Sequence, residues 1–256
     1  MIKRMLRFLF IGIFIMAVPS WAITDQELLV KVDSLVSYFD TDFSAEYTIV
    51  QDKPGQGLST TVAGIFRRDS RQMYVIVIMQ PVISKGQGYL KQGNTLWFYD
   101  PQSRRFNSTS SSDRFQNTNA RNSDFTHSTL AQDYRVTAGE DATLGRFKCR
   151  VLTLVAVTTE VTYPRMKVWI DEEGLLRRSE DYSLSGQLLR TSAIPDYHRI
   201  DGRVVPKQIL FVDALRGANI NKVFVNEKTQ ITISKPSFSK LTDSVFSQSF
   251  LERVNQ

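Results

Sequence analysis

The sequence is poor in the residues from which disulfides and metal sites are built. Among its 256 residues there is one cysteine, Cys149, and there are two histidines, His127 and His198. A single cysteine excludes an intramolecular disulfide, so the fold must be stabilised by packing. Neither histidine lies in an HExxH or HxH pattern, and a zinc site would have to be assembled from unrelated positions. We therefore predict no metal site and no cofactor.

Signatures of catalytic and phosphate-binding sites are also missing. No GxSxG elbow surrounds a serine. Gly86 and Gly88 are followed by the strand residues Tyr89 and Leu90, whereas a phosphate-binding loop requires a helix at that point. The acidic run 171–173 precedes Gly174, which is typical of a hairpin turn. The chain is therefore predicted not to be an enzyme.

The N-terminal residues have the pattern of an export signal. Lys3, Arg4 and Arg7 precede an uncharged apolar run over 8–18, and small residues follow at Ser20 and Ala22. This is the layout of a cleavable signal peptide over residues 1–22. The run is shorter than the about 20 apolar residues that span a bilayer. We expect residues 23–256 to be released as one soluble domain outside the cytoplasm.

The remaining charge gives no sign of a nucleic-acid partner. The formal net charge is +6, and the signal contributes three cations and no acid, which leaves +3 for the rest of the chain. A binding protein for nucleic acid usually carries a larger basic excess on one face. We predict that the protein binds no nucleic acid.

Hydrophobic periodicity predicts one helix followed by many strands. Thr24 and Glu27 form a capping-box pattern, and apolar residues recur at helical spacing from Leu28 to Phe39. From Phe43 onward the period is two. The run Met73 to Met79 is apolar on both faces, which favours a strand that is covered on both sides. Further strands are predicted over 86–91, 95–99, 147–156, 165–170, 175–182, 187–197, 204–212 and 223–233.

Three other segments have distinct compositions. Residues 102–122 are rich in Ser, Asn, Thr and Arg, which predicts a long exposed loop. Residues 124–131 are predicted to form a short helix capped by Ser123, and residues 242–251 to form a short C-terminal helix. The fold class is thus mainly β with few helices.

Several motifs, in order, resemble the outer-membrane lipoprotein-sorting protein family, relatives of the carrier LolA. The motifs are Gly86-Gln87-Gly88-Tyr89-Leu90, Leu96-Trp97-Phe98-Tyr99-Asp100-Pro101, Arg121-Asn122-Ser123-Asp124-Phe125, Trp169-Ile170-Asp171 and Leu176-Arg177-Arg178. The resemblance covers nearly all of residues 23–256, and the LWFYDP motif is its most specific part. It implies a half-open, strongly curved antiparallel β-barrel closed by a helical lid over a hydrophobic cavity.

The resemblance also implies a function in the periplasm. It suggests a monomeric carrier that binds acyl chains of lipoproteins or phospholipids and shuttles them between the inner and outer membranes. An inner-membrane transporter and transient membrane contact are the expected partners. The alternative is a lipid-sensing regulatory module of the cell envelope, because a similar fold serves as a regulator bound to an anti-sigma factor.

Strand parity gives the candidate lipid-binding residues. A slip of one residue in register would move a whole strand's side chains to the opposite face. The predicted cavity lining is Tyr47, Phe66, Ile76, Ile78, Leu90, Trp97, Tyr99, Val168 and Ile170.

Overall fold

The computed structural model describes residues 23–254, so the predicted signal peptide lies outside the described residues. The N-terminal helix is α1, Asp25–Val36, and its capping box is formed as predicted, with the Glu27 amide donating to Thr24 Oγ1 over 3.2 Å. The other α-helices are short: α2, Leu130–Asp133, and α3, Gln248–Arg253. A 3-10 turn, Asp243–Phe246, precedes α3.

Fifteen strands follow α1 in the described part of the chain. Their bounds are β1 Phe43–Lys53, β2 Gly57–Arg68, β3 Met73–Gln80, β4 Gly88–Gln92, β5 Thr95–Asp100, β6 Arg105–Ser108, β7 Tyr134–Leu144, β8 Phe147–Ala156, β9 Arg165–Asp171, β10 Leu176–Tyr182, β11 Leu188–Ala193, β12 Tyr197–Ile200, β13 Arg203–Pro206, β14 Gln208–Ile220 and β15 Val223–Ser237.

Thirteen of these strands form one antiparallel sheet. Its order is β6-β5-β4-β3-β2-β1-β15-β14-β11-β10-β9-β8-β7, and β12 pairs with β13 separately. The first strand in the chain, β1, thus pairs with the last, β15, and Tyr47 lies opposite Ile233. Strands β6 and β7 are the two edges, and they are not paired with each other, so the sheet is open.

The register places one set of alternating residues on a common face, which we call the inner face. On β1 this set is Phe43, Ala45, Tyr47 and Ile49, all of them buried. On the far half of the sheet, Leu152 lies opposite Val168 on the same face. Two apolar clusters cover the inner face: one on β1–β5, β14 and β15, and one in which α1 packs on β8 and β9.

The opposite or outer face is covered at β3–β5 by the C-terminal segment. Val75, Val77 and Leu90 pack there against Phe246 and Leu251. Because Tyr74, Ile76 and Ile78 are buried on the inner face, the apolar run 73–79 is covered on both sides, which confirms that prediction.

The segment 102–122 differs from the predicted exposed loop. It contains β6, and its later part packs on the inner face, where Phe115 and Ala120 are fully buried with Phe125. One or two aromatic residues in a polar segment have no period, so the sequence gives no sign of this packing. Residues 122–125 form a 3-10 turn rather than the start of a helix capped by Ser123, and the helix that follows is limited to α2.

Several predictions of strands were wrong, and the predicted strand 204–212 is divided into β13 and β14. Strand β7, mostly exposed at an edge of the sheet, was not predicted, because little of it alternates between apolar and polar residues. The predicted strand 187–197 is divided into β11 and β12 at Ile194 and Pro195, since proline has no amide hydrogen to donate to a ladder.

Candidate functional site

A cavity of about 670 Å³ lies on the inner face, between the two apolar clusters. The inner face supplies one wall, through side chains of β1, β9–β11, β14 and β15. The facing wall is made by α1 and by residues 123–134 and 158–163. The volume of the cavity is within the range of pockets that bind small molecules.

One side of the cavity is apolar. Val205, Ile209, Phe211 and Ile233 line it beside Tyr47. The side chains of β1, β14 and β15 share the face because Ile231 lies opposite both Ile49 and Ile209 in the neighbouring strands. Burial raises the pKa of Tyr47 to about 12, so its hydroxyl is neutral at physiological pH. The α1 residues Val32 and Val36 contribute apolar surface from the facing wall.

A buried charge network forms another side. Arg190 on β11 donates from Nε to Asp181 Oδ2 over 2.8 Å and from Nη1 to Asp124 Oδ2 over 2.6 Å. Ser179 Oγ donates to the other oxygen of Asp181 over 3.1 Å. Burial raises the pKa of Asp181, and the nearby Arg190 guanidinium opposes that rise. Asp124 belongs to the segment that packs on the inner face, so this network ties that segment to the sheet.

A second buried ion pair, between Arg67 and Asp69, adjoins the cavity through Arg67. Arg67 donates to Asp69 from Nε over 3.0 Å and from Nη2 over 2.6 Å, and the Tyr38 amide donates to Asp69 Oδ2 over 2.8 Å. The guanidinium carbon lies 5.4 Å from the ring centre of Tyr38. This pair fixes the segment that connects α1 to β1.

The two histidines lie in different surroundings. His127 lines the cavity with its ring centre 5.5 Å from that of Phe39, and burial lowers its pKa. His198 Nε2 is 2.8 Å from the carbonyl oxygen of Ile233. The free thiol of Cys149 is buried, and burial raises its pKa. No group of three or more His, Cys, Asp or Glu among residues 23–254 has an arrangement that would hold a metal ion.

Five of the nine predicted lining residues lie on the inner face. Tyr47 lines the cavity itself. Ile76 and Ile78 are fully buried in the cluster on β1–β5. Val168 and Ile170 are fully buried beneath α1. The structure therefore brings Tyr47 to the cavity and places the other four in the packed layers beside it.

The remaining four predicted residues lie on the outer face, which corrects their assignment to the same cavity. Phe66, Leu90, Trp97 and Tyr99 belong to the cluster that the C-terminal segment covers. The ring centre of Phe66 is 5.9 Å from that of Phe250. Strands β4 and β5 are apolar on both faces near these positions, so alternation does not identify their inner side.

Sequence reasoning missed most of the actual lining. Phe211 and Ile233 were within predicted strands but were not selected. Arg190, Asp181 and Ser179 were missed because buried polar side chains do not follow the apolar pattern. The signal that was available is the period of two in Arg177, Ser179 and Asp181, which places three polar side chains on one face of β10.

None of the helices in residues 23–254 is both long and apolar enough to cross a membrane.

Comparison with known proteins gives both a family match and structural matches. A family model described as "Uncharacterized protein" matches residues 70–253. A search of the curated proteins gave no match. Three solved structures illustrate the likeness of fold. A LolA superfamily protein from Nitrosomonas europaea is 23% identical with a TM-score of 0.75, covering 90% of this chain and 100% of that one.

The other two structures are similarly complete matches. An outer membrane lipoprotein-sorting protein domain from Vibrio parahaemolyticus is 18% identical with a TM-score of 0.77, covering 89% of this chain and 98% of that one. A DUF1329 family protein from Desulfovibrio piger is 19% identical with a TM-score of 0.75, covering 88% and 97%. These likenesses establish the fold.

Proposed function

Because the chain belongs to the family described as "Uncharacterized protein" and shares its fold with LolA superfamily proteins, we propose that it is a periplasmic carrier of lipid or lipoprotein acyl chains. The observation that carries the proposal is the cavity of about 670 Å³ between α1 and the inner face. The export-signal pattern of residues 1–22 supports the periplasmic location.

The architecture required of such a carrier is a half-open, curved barrel with a helical lid. In this proposal the open sheet is the barrel, and its unpaired edges β6 and β7 leave it half open. Helix α1 and residues 123–134 are the lid, because they form the wall of the cavity that faces the sheet. The lid opens to admit an acyl chain and closes over it.

The energetic demand on the cavity is large. Exposing a long acyl chain to water costs on the order of 10 kcal/mol, at ~0.8 kcal/mol per methylene. The apolar side formed by Ile209, Phe211 and Ile233 replaces part of that contact. The charge network around Arg190 lines another side of the cavity, and in this proposal the polar end of the cargo lies beside it.

The test is to place a charge inside the cavity without disturbing the strand that carries it. Ile209 is half-buried and lines the cavity, whereas its neighbour Leu210 is half-buried and does not line it. We expect Ile209→Glu to abolish the lipid that copurifies with the protein, measured by native mass spectrometry after expression with its export signal. Leu210→Glu is the matched control and is expected to retain lipid.

Two outcomes would contradict the proposal. One is a folded Ile209→Glu protein that carries as much lipid as the wild type. The other is a wild-type protein that carries none and transfers none between vesicles, which would favour the lipid-sensing regulatory module. Circular dichroism of both variants establishes whether they are folded.

A further inference from the structure

Exposed apolar side chains are concentrated at one end of the sheet. Of the fourteen large hydrophobic residues that are exposed in residues 23–254, nine lie at or next to strand ends. These nine are Leu58, Met79, Val82, Ile83, Val157, Leu184, Ile220, Val223 and Phe224. Of the other five, Leu215 lies within β14, and four lie in or beside the terminal helices or at Phe39.

The strand register shows that the nine residues share an end. Asp52 near the end of β1 lies opposite Leu58 on β2 and Lys228 on β15. Gln80 at the end of β3 lies opposite Val62 on β2, so the turn 81–87 extends beyond the same end. Antiparallel pairing continues through Arg190 opposite Asp213 and through Tyr182 opposite Arg165, which brings the turns 183–187 and 157–164 to this end as well.

Six of these residues form what we call the hairpin-tip patch. Its members are Leu58, Val82, Ile83, Ile220, Val223 and Phe224. Val82 is 88% exposed, Ile83 80% and Leu58 72%. A Cβ placed on Gly55 in the β1–β2 turn would lie 3.7 Å from Ile220 Cδ1, so the β1–β2 and β14–β15 tips are in contact range. Single exposed apolar residues are ordinary, but a group on the tips at one end of the sheet marks an interaction surface.

The exposed charges of the hairpin-tip patch have one sign. The segments 53–60, 79–88 and 214–226 contain Lys53, Lys85, Arg216 and Lys222 and no Asp or Glu, and Asp52, which lies opposite Leu58, is half-buried. Lys85 and Lys222 are exposed, and Lys222 stands at the apex of a two-residue turn with φ of 68°. The nearby Glu227 is buried and paired with Arg216, with a distance of 3.4 Å between Oε1 and Nε.

We propose that the hairpin-tip patch docks the protein on an anionic lipid bilayer. Apolar side chains at the tips enter the boundary between headgroups and acyl chains, and the lysines contact the phosphates beside them. Both contributions are known to strengthen interfacial binding, and the electrostatic one requires anionic lipid. A protein partner would also cover an apolar surface, but a surface whose exposed charges are lysines complements a layer of phosphates. The inference names the surface and the lipid charge for the membrane contact that the sequence led us to expect, and it does not depend on what the cavity binds.

The experiment measures binding of the full mature chain to vesicles by cosedimentation. One set of vesicles contains phosphatidylcholine alone, and the other an equal mixture of phosphatidylcholine and phosphatidylglycerol. We expect binding to the mixed vesicles that weakens with added salt. The triple variant Val82→Ser, Ile83→Ser, Phe224→Ser should weaken it by about tenfold or more, and Lys222→Glu by about fivefold or more.

A matched variant controls for the loss of exposed apolar surface elsewhere. Val30 and Val254 are about half exposed and lie outside the patch, so the double variant Val30→Ser, Val254→Ser should bind as the wild type does.

The inference is overturned if the triple variant binds mixed vesicles normally, or if the wild type binds neither kind of vesicle. It is also overturned if sedimentation shows a dimer that the triple substitution dissociates, because the patch would then be an interface between copies. Lipid that copurifies in the cavity is measured separately, so failure of docking is distinguishable from failure of the carrier function.

Discussion

At the end of β2, Arg68 contacts two carboxylates that differ in burial. It donates to buried Asp42 from Nε over 2.8 Å and from Nη2 over 2.9 Å. It also contacts Asp243, whose side chain is 77% exposed. Asp42 Oδ2 in turn accepts a hydrogen bond of 2.7 Å from the Leu241 amide. The buried carboxylate therefore joins β1 and β2 to the C-terminal segment, whereas the exposed one adds a solvated ion pair.

This difference predicts unequal costs for two similar substitutions. Asp42→Asn should lower the free energy of unfolding by about 3 kcal/mol, because it leaves a buried guanidinium without its partner. Asp243→Asn is the control and should lower it by less than about 1 kcal/mol, since exposed ion pairs contribute little. Urea denaturation of both variants at neutral pH measures this. Equal losses in the free energy of unfolding would show that the burial of Asp42 does not contribute to stability.

The same pair gives a direction for the pH dependence. The hydrogen bonds from Arg68 lower the pKa of Asp42 below its ordinary value of 3.8. A lowered pKa in the folded state means that the stabilisation is present above the unfolded pKa and is lost as pH falls through the folded pKa. The stability difference between wild type and Asp42→Asn should therefore be largest at neutral pH and shrink below about pH 4. A difference that grows on acidification would contradict the assignment.

The site residues show what strand parity can and cannot predict. On β1 the alternation of apolar residues is strict, and Tyr47 was correctly placed on the inner face. On β2 the inner position after Ile65 is Arg67, which is buried through its ion pair with Asp69. A buried arginine in an apolar series reverses the inferred parity, so Phe66 was assigned to the wrong face.

At the scale of elements, α3 packs on the outer face of β4 at a glycine. A Cβ on Gly88 would lie 2.5 Å from Leu251 Cδ2 and 3.0 Å from the carbonyl oxygen of Ile76. Leu251 is fully buried there. Gly88 of the sequence motif thus leaves space for the C-terminal helix, so its role is packing rather than phosphate binding.

This packing predicts a coupled pair of substitutions. Gly88→Ala should destabilise the fold by about 1 to 3 kcal/mol through overpacking. Leu251→Ala should cost about 3 kcal/mol by leaving a cavity. The double variant should lose less than the sum by about 1 kcal/mol, because the new methyl group enters the space that leucine vacates. Thermal and urea unfolding of the four proteins gives the coupling.

Gly64 provides the control for that cycle. A Cβ there would make ordinary contact with Phe66, at 3.6 Å. Gly64→Ala should therefore change stability by less than about 1 kcal/mol, and it should not couple to Leu251→Ala. Additive losses for Gly88→Ala and Leu251→Ala would mean that α3 does not pack on β4 as described.

Elements with a local signal were predicted well, and those stabilised by distant contacts were not. The capping box located α1, and the bounds of β8 match the predicted 147–156. The segment 109–125 folds onto the inner face through contacts distant in sequence, such as the Asn119 amide with Thr229 Oγ1 at 2.9 Å. Its local composition is that of a loop. Only the tertiary structure shows that it fills one half of the inner face.

On the scale of the whole molecule, the inner face has two apolar clusters rather than one continuous core. The cluster on β1–β5 is filled by Phe115 and Phe125, and the cluster on β8 and β9 is covered by α1. Between them the polar side chains of β10 and β11 are joined by Arg190. The cavity occupies this boundary, so an occupant would contact both clusters at once.

An occupant that bridges the clusters should stabilise the whole fold against heat. A ligand that binds only the folded state, at a concentration of 100 times its Kd, adds about 2.7 kcal/mol. For a domain of this size, 1 kcal/mol corresponds to about 2 to 4 °C in Tm. A lysophospholipid with one palmitoyl chain, added to delipidated protein below its critical micelle concentration, should therefore raise Tm by about 5 to 10 °C. Glycerophosphoglycerol, which has the polar group without the chain, should leave Tm unchanged.

Because Ile209→Glu introduces a charge into the cavity, that variant should show no rise in Tm with the lysophospholipid, while Leu210→Glu should respond as the wild type does. An equal rise in Ile209→Glu would place the acyl chain outside the cavity.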